Sequence, residues 1–200
     1  MEILNPTIQK IMTFVLRQIT EAPTIATLAE TFNMSHVGVW KAVKGLEEIN
    51  LIKLKSTGKK KNSTFTIHIN WNNSLVEKTL VLALTHEVAN QQRWVFNFAE
   101  LEKEVEFLIL YGSILHSPKE ANDVDIISVV SNSKNFIKIN KSILKIQMLQ
   151  SKKVHAINFI SEELKKELRK ENRAFLDAFK NGVVLFGQNK FVSFIKELNQ

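Results

Sequence analysis

Apolar residues in the first third of the chain recur at helical spacing and then change to strand-like alternation. From Pro6 to Gln18 the spacing predicts a buried helix, and Thr24 and Ser35 are suitable N-caps for two more helices, the last reaching about Ile49. Residues 51–55 and 63–69 alternate polar and apolar side chains on either side of a lysine-rich turn. This part of the chain therefore predicts three helices followed by a β-hairpin.

The remaining two thirds mix helical and strand-like patterns, which predicts an α+β protein. The polar residues 70–74 indicate a boundary, so we expect units over residues 1–73, 74–103 and 104–200. Helices are predicted over 75–90, 91–103, 136–152 and 161–180, with a last helix after 187. Strands are predicted over 105–111, 123–130, 153–160 and 183–187. Ser161 is expected to cap the helix that it begins.

Composition narrows the class of protein. The chain of 200 residues has a net charge of +7 and an isoelectric point near 9.5, which favours a polyanionic partner. It contains no cysteine, so disulfides and thiolate metal sites are excluded. Its start resembles no signal peptide and no apolar run is long enough to span a bilayer, so we expect a cytoplasmic location without membrane association.

The strongest chemical motif lies in the third unit. An apolar run ends at Gly112-Ser113, and Asp123 and Asp125 begin a second strand-like segment after a short polar stretch. Strand alternation places both carboxylates on one face, where a divalent cation would offset their repulsion. The turn at Gly112 can begin a helix whose free amides face an anion. Together these features suit phosphoryl or nucleotidyl transfer.

This arrangement over residues 104–187 resembles the nucleotidyltransferase superfamily typified by DNA polymerase beta, and is closest to its minimal, kanamycin-nucleotidyltransferase-like group. The resemblance implies a mixed sheet packed with helices. It also implies an NTP whose phosphates contact Gly112, Ser113 and Lys119, and Mg²⁺ held by Asp123 and Asp125 as catalytic residues. The acceptor of the nucleoside monophosphate stays open between a nucleic acid such as tRNA, a protein and a small molecule.

Three positions depart from that family's pattern. The strand that usually carries a third carboxylate reads Lys-Val-His-Ala-Ile-Asn-Phe-Ile here, so His155 or Asn158 stands in its place. His116-Ser117 replaces the usual Arg-Gly, and Asn122 replaces a serine before the first aspartate. Like His86, His155 lacks metal-ligand spacing in the sequence, which favours an ordinary packed or surface histidine.

The first unit resembles the winged helix-turn-helix domains of bacterial and archaeal transcription regulators. The resemblance implies DNA as a partner, with the third helix in the major groove and the hairpin turn against phosphates. The residues implied are Ser35, His36, Gly38, Trp40 and Lys41 on the helix, and Lys59, Lys60 and Lys61 on the turn. A protein-protein module, a solvated turn and a buried Trp40 are the alternatives.

Two functions are therefore expected. One is an enzyme that uses Mg²⁺ to transfer a nucleoside monophosphate from NTP. The other is a transcription regulator whose nucleotidyltransferase fold has become a nucleotide sensor or a dimerisation module. The missing carboxylate favours the regulator, and the Gly-Ser and Asp-x-Asp motifs favour the enzyme. A homodimer is compatible with both.

Overall fold

The structure, a computed structural model, describes residues 5–57 and 64–199. The chain divides into two compact units, and the division falls between Ala83 and Leu84. The secondary structure is of the α+β class that the sequence predicts. None of the helices in the described ranges combines the length and the hydrophobicity that crossing a bilayer requires.

The first unit begins with helices α1 (Pro6–Arg17), α2 (Ile25–Phe32) and α3 (His36–Glu48). The caps of α2 and α3 are those that the sequence predicts. The Thr24 hydroxyl accepts the Thr27 amide at 3.1 Å, and the Ser35 hydroxyl accepts the Gly38 amide at 3.1 Å. Asn33 ends α2 in the left-handed conformation, with φ of 50°. This turn brings α2 and α3 together on a shared core.

The hairpin follows directly. Strand β1 (Ile52–Thr57) pairs antiparallel with β2 (Thr64–Ile69), with Ile52 opposite Ile69 and Thr57 opposite Thr64. The predicted turn lysines Lys59, Lys60 and Lys61 lie outside the described residues. Helix α4 (Ser74–Val88) follows and contains the division between the two units.

The second unit is built around one mixed sheet. Its helices are α5 (Gln92–Asn97), α6 (Phe136–Leu149), α7 (Ser161–Arg169), α8 (Arg173–Asn181) and α9 (Gln188–Leu198). Its strands are β3 (Phe107–Tyr111), β4 (Asp123–Val130), β5 (Lys153–Ile160) and β6 (Val183–Phe186). The strand order is β5-β4-β3-β6, with β4 and β5 parallel and the other pairs antiparallel.

The two faces of this sheet bury different cores. Leu108, Leu110, Val124 and Ile126 lie in one cluster with the apolar side of α6, the helix that connects β4 to β5. Phe107 points to the opposite face, where its ring contacts those of Phe191 and Phe194 at 5.5 and 5.3 Å. Strand alternation thus assigns Asp123 and Asp125 to the Phe107 face, away from α6.

Two predicted helices are wrong in extent. Residues 161–180 form α7 and α8, because Glu171 is left-handed with φ of 54° and Asn172 caps α8 by accepting the Ala174 amide at 3.2 Å. Residues 91–103 contain the short α5 between two 3-10 turns, Ala89–Gln91 and Ala99–Leu101. That segment still buries Trp94, Phe98 and Leu101, so its apolar spacing serves the core without a continuous helix.

Ser161 does not cap α7. Its hydroxyl donates instead at 3.0 Å to Oε2 of Glu106, the residue directly before β3. The Ile160 amide at the helix start is bound by the Glu163 carboxylate at 3.3 Å. A carboxylate at this position also interacts favourably with the helix dipole.

Candidate metal centre

The turn after β3 forms one side of the site. The apolar residues of β3 are buried, and the chain leaves the sheet at Gly112 with φ of 85° and ψ of −166°. A Cβ on Gly112 would lie 2.6 Å from Asp125 Oδ2. Both the conformation and the lack of space therefore require glycine, and they allow the Asp125 carboxylate to lie directly against the backbone.

Strand β4 supplies the two carboxylates. Its residues alternate between partly exposed and buried at Asp123, Val124 and Asp125, as the sequence predicts for a strand with one polar edge. Asp125 is the antiparallel partner of Tyr111, the last residue of β3. This register brings the acidic pair to the end of β3, beside the Gly112 turn.

Strand β5 adds a third ligand group to the same place. In the parallel pairing His155 is the partner of Asp125, and Lys153 is the partner of Asp123. His155 Nδ1 lies 3.3 Å from Asp123 Oδ2 and 3.5 Å from Asp125 Oδ1. His155 is therefore not an isolated histidine, although its side chain lies partly at the surface as expected.

Asn158, the other residue considered for the third position, lies elsewhere. Its amide oxygen accepts the Ser128 hydroxyl at 2.6 Å, and its nitrogen donates to Asn140 Oδ1 on α6 at 2.7 Å. These contacts fix Asn158 on the α6 face of the sheet, opposite to the face that carries the acidic pair. It belongs to a structural hydrogen-bond network.

The three side chains have the geometry of a metal-ligand set. One ligand atom from each of Asp123, Asp125 and His155 lies within 4.8 Å of the others. Adjacent ligands of an octahedral ion with bonds of about 2.1 Å are about 3 Å apart, close to the distances at His155 Nδ1. Two carboxylates and one imidazole are donors that divalent cations accept, so the residues fit a metal ion.

Burial and the proximity of the two carboxylates shift the pKa values of groups at the site. Burial and the neighbouring Asp123 carboxylate raise the pKa of Asp125 above its ordinary value, and His155 opposes this rise. Burial, and to a lesser extent the negative charges of Asp125 and Asp123, also raises the pKa of the Tyr111 phenol. The acidic pair therefore disfavours further negative charge and gains from a cation.

The site is open to solvent. The exposed fractions of the side chains are 34% for Asp123, 25% for Asp125 and 43% for His155. Such exposure leaves room for other ligands on a bound ion, including oxygens from a large substrate. It also means that solvent weakens the electrostatic interactions among the three groups.

The other residues predicted to bind a nucleotide have differing surroundings. Ser113 is exposed and begins a 3-10 turn, Ser113–Leu115, in place of a longer helix, so the expected helix dipole at this turn is not available. Lys119 is exposed, and within the described ranges no contact connects it to the acidic pair. Instead Lys152 donates to the Ala121 carbonyl, two residues before Asp123, and Lys153 is exposed beside Asp123.

The sequence contained a partial signal for these residues. Val154 and Ala156 are apolar, so alternation alone places Lys153 and His155 together on the other face of their strand. The sequences of the two strands do not indicate that β5 pairs with β4, because this pairing depends on the crossover through α6. Without that register His155 could not be aligned with Asp125.

The predicted nucleic-acid surface lies in the first unit. Ser35, His36 and Lys41 are exposed on α3, although the Ser35 hydroxyl also caps the helix. Trp40 is partly buried: its ring lies 5.7 Å from that of Phe65 on β2. Lys44 Nζ lies 5.1 Å from the indole centre. Trp40 therefore connects the helix to the hairpin.

An open apolar groove of about 440 Å³ adjoins this contact. His36, Val37, Trp40 and Phe65 are among the residues that line it. An apolar groove therefore lies beside the predicted contact residues His36 and Trp40.

Comparison with protein-family models, with curated proteins and with solved structures found no match for the chain.

Proposed function

We propose that the second unit is a nucleotidyltransferase domain that transfers a nucleoside monophosphate from NTP to an acceptor hydroxyl. The observation that carries the proposal is the contact of the Asp125 carboxylate with the Gly112 turn, with Asp123 on the same face. A cation site directly beside an exposed backbone turn suits a metal-bound polyphosphate. The chain's net charge of +7 also favours an anionic substrate.

Each residue has a distinct proposed role. Asp123 and Asp125 hold the divalent cation, for which the family resemblance implies Mg²⁺, and His155 contacts both carboxylates. The cation, when bound, offsets the negative charge of the triphosphate and polarises its phosphoryl oxygens. Gly112 lets the phosphates approach the main chain, and the Ser113 hydroxyl donates a hydrogen bond to them. Lys153, the strand partner of Asp123, takes the phosphate-binding role that the resemblance implied for Lys119.

For the first unit we propose DNA binding by a winged helix. Exposed His36 and Lys41 are suited to contact bases and phosphates from α3, and the turn lysines 59–61 would add sequence-independent affinity. Trp40 has a supporting role in this proposal, because its ring is engaged with Phe65. The unit would then bring the transferase to DNA, or regulate a promoter in response to nucleotide.

A transcription regulator without transferase activity is the second candidate. The observation that favours it is the imidazole of His155 where the resembled family carries a third carboxylate. A general base for the acceptor hydroxyl is needed for efficient transfer, and a partly exposed histidine that contacts two carboxylates is a different group from an aspartate. In this case NTP binding would change DNA affinity without covalent chemistry.

Radiolabelled NTP separates the two candidates. The protein is incubated with a divalent cation, cell extract and each NTP labelled at either the α or the γ phosphorus. The transferase attaches the α phosphorus to the acceptor and releases the β and γ phosphorus as pyrophosphate. It therefore predicts a labelled acceptor from α-labelled NTP only, and labelled pyrophosphate from γ-labelled NTP. The regulator predicts no product and NTP-dependent retention of DNA fragments.

Matched variants make this experiment specific. Asp125→Asn removes a proposed metal ligand and should abolish the labelling. Asp177→Asn makes the same chemical change at the one aspartate of the sequence outside the acidic pair, which is exposed on α8 and accepts a hydrogen bond from Asn181 at 2.7 Å. Labelling by this control should be unchanged. Labelling that survives Asp125→Asn would contradict the proposed active site.

A further inference from the structure

We propose that the centre formed by Asp123, Asp125 and His155 selects a first-row transition-metal dication, from Mn²⁺ to Zn²⁺, over Mg²⁺. This inference rests on the proposed function of the centre as a metal site and specifies which metal it takes. Its basis is the identity and position of the third donor, the Nδ1 atom of His155.

The position of the imidazole makes it a direct ligand. Nδ1 is within 3.5 Å of an oxygen of each aspartate, so an ion bound by both carboxylates also meets this nitrogen. The three groups come from adjacent strands in fixed register, with His155 opposite Asp125. In the neutral tautomer with its proton on Nε2, the Nδ1 lone pair is free for the ion.

The donor atoms determine the preference. Mg²⁺ favours oxygen ligands and gives up its water reluctantly, so a nitrogen donor contributes little to its binding. Imidazole binds later first-row dications more strongly, in the order that rises from Mn²⁺ towards Cu²⁺. Replacing one carboxylate of a three-carboxylate set by imidazole also removes one negative charge, which weakens the attraction for a hard cation most.

The first test compares binding of MnCl₂, CoCl₂ and MgCl₂ to the full chain by isothermal titration calorimetry at one pH. Because carboxylate sites alone favour Mn²⁺ somewhat, the diagnostic quantity is the ratio of the Mg²⁺ to the Mn²⁺ dissociation constant. His155→Asp restores a third carboxylate at the same point, and we expect it to lower this ratio at least tenfold. An unchanged ratio in a folded His155→Asp variant would overturn the inference.

A control variant separates position from charge. Asn158→Asp adds the same charge to the same strand, but on the α6 face, where Ser128 can still donate to it. We expect its ratio of the Mg²⁺ to the Mn²⁺ dissociation constant to match that of the wild type. Equal effects of His155→Asp and Asn158→Asp would show a general charge effect and would contradict direct ligation.

A spectroscopic measurement detects the ligand itself and does not depend on activity. Electron spin echo modulation of bound Mn²⁺ should contain a ¹⁴N coupling in the wild type that is lost in His155→Asp. Mn²⁺ that binds through Asp125 without ¹⁴N coupling would overturn the inference and leave the proposed function standing. Absence of metal binding, together with nucleotide transfer that Asp125→Asn does not affect, would overturn both.

Discussion

Asp125 Oδ2 occupies the space that a side chain on Gly112 would need, at 2.6 Å from the position of its Cβ. The carboxylate and the turn therefore constrain each other. Gly112 keeps φ at 85°, and the absent side chain admits Asp125 to the backbone. A substitution at either residue should change the position of the other, so variants of the pair test the structure of the site directly.

Gly112→Ala should destabilise the second unit and weaken metal binding. A non-glycine residue in this backbone region costs about 1–3 kcal/mol, and the contact with Asp125 adds to that cost. The new methyl group should also displace the carboxylate and reduce metal affinity at least tenfold. Chemical denaturation and calorimetry measure the two effects.

A double-mutant cycle isolates the steric component. With Asp125→Ala in the background, the Gly112→Ala change keeps its backbone strain but loses the clash with the carboxylate. We therefore expect a smaller loss of unfolding free energy in this background than in the wild type. Equal losses would mean that Asp125 does not contact the turn in solution.

Asp125→Asn should raise the thermal stability of the metal-free protein at pH 7.5. The pKa of Asp125 is raised by burial and by Asp123, so its ionised form is less favourable in the folded chain than in the unfolded one. Protonated Asp125 stabilises the folded chain, and this stabilisation is lost as pH rises through the pKa of Asp125 in the folded state. At neutral pH the ionised carboxylate therefore lowers the free energy of unfolding. We expect a rise of roughly 1–3 °C in EDTA, kept small by solvent exposure.

Scanning fluorimetry with and without metal checks this prediction. Added Mn²⁺ should stabilise the wild type and leave Asp125→Asn nearly unaffected, which reverses their order. The control Asp177→Asn should follow the wild type in both conditions. A destabilised Asp125→Asn protein in EDTA would mean that the interaction of Asp125 with His155 outweighs repulsion and burial.

Lys41 and Trp40 should have separable effects on DNA binding. Lys41→Ala removes an exposed charge from α3, so we expect weaker DNA binding and unchanged thermal stability. The slope of the logarithm of the binding constant against the logarithm of salt concentration should become smaller by about one. Trp40→Ala removes the contact with Phe65 and should lower the unfolding free energy by about 2 kcal/mol. Fluorescence anisotropy with duplex DNA at several salt concentrations and thermal unfolding distinguish the two effects.

His68 should make the first unit sensitive to acid. Burial, and to a lesser extent the positive charge of Lys55, lowers the pKa of His68 below its usual value of 6.5. The unfolded chain therefore binds more protons than the folded one below pH 6.5, and stability should fall as pH decreases through that range. His68→Gln should reduce the loss of melting temperature between pH 7.5 and 5.5. His86→Gln, an exposed position on α4, serves as the control and should leave that loss unchanged.

Local patterns predicted much of this molecule. The alternation from Asp123 onward identified the strand and its polar face, and Thr24 and Ser35 cap their helices as predicted. These features depend on residues close in sequence. The polar tripeptide at the α7–α8 junction contains no glycine or proline, so the left-handed Glu171 had no clear signal.

The centre itself depends on a non-local pairing. Thirty positions separate Asp125 from His155, and only the parallel register of β4 and β5 places them side by side. Similarly, the tight contact of Asp125 with Gly112 arises from the antiparallel register with Tyr111. The sequence predicted the two carboxylates on one face, whereas the third group required the strand order of the folded sheet.

A crystal structure with Mn²⁺ and a non-hydrolysable NTP analogue tests the central claim most directly. We predict anomalous scattering from an ion bound by Asp123 and Asp125, with the triphosphate against Gly112 and Ser113. A triphosphate bound elsewhere, or an ion that contacts neither aspartate, would contradict it.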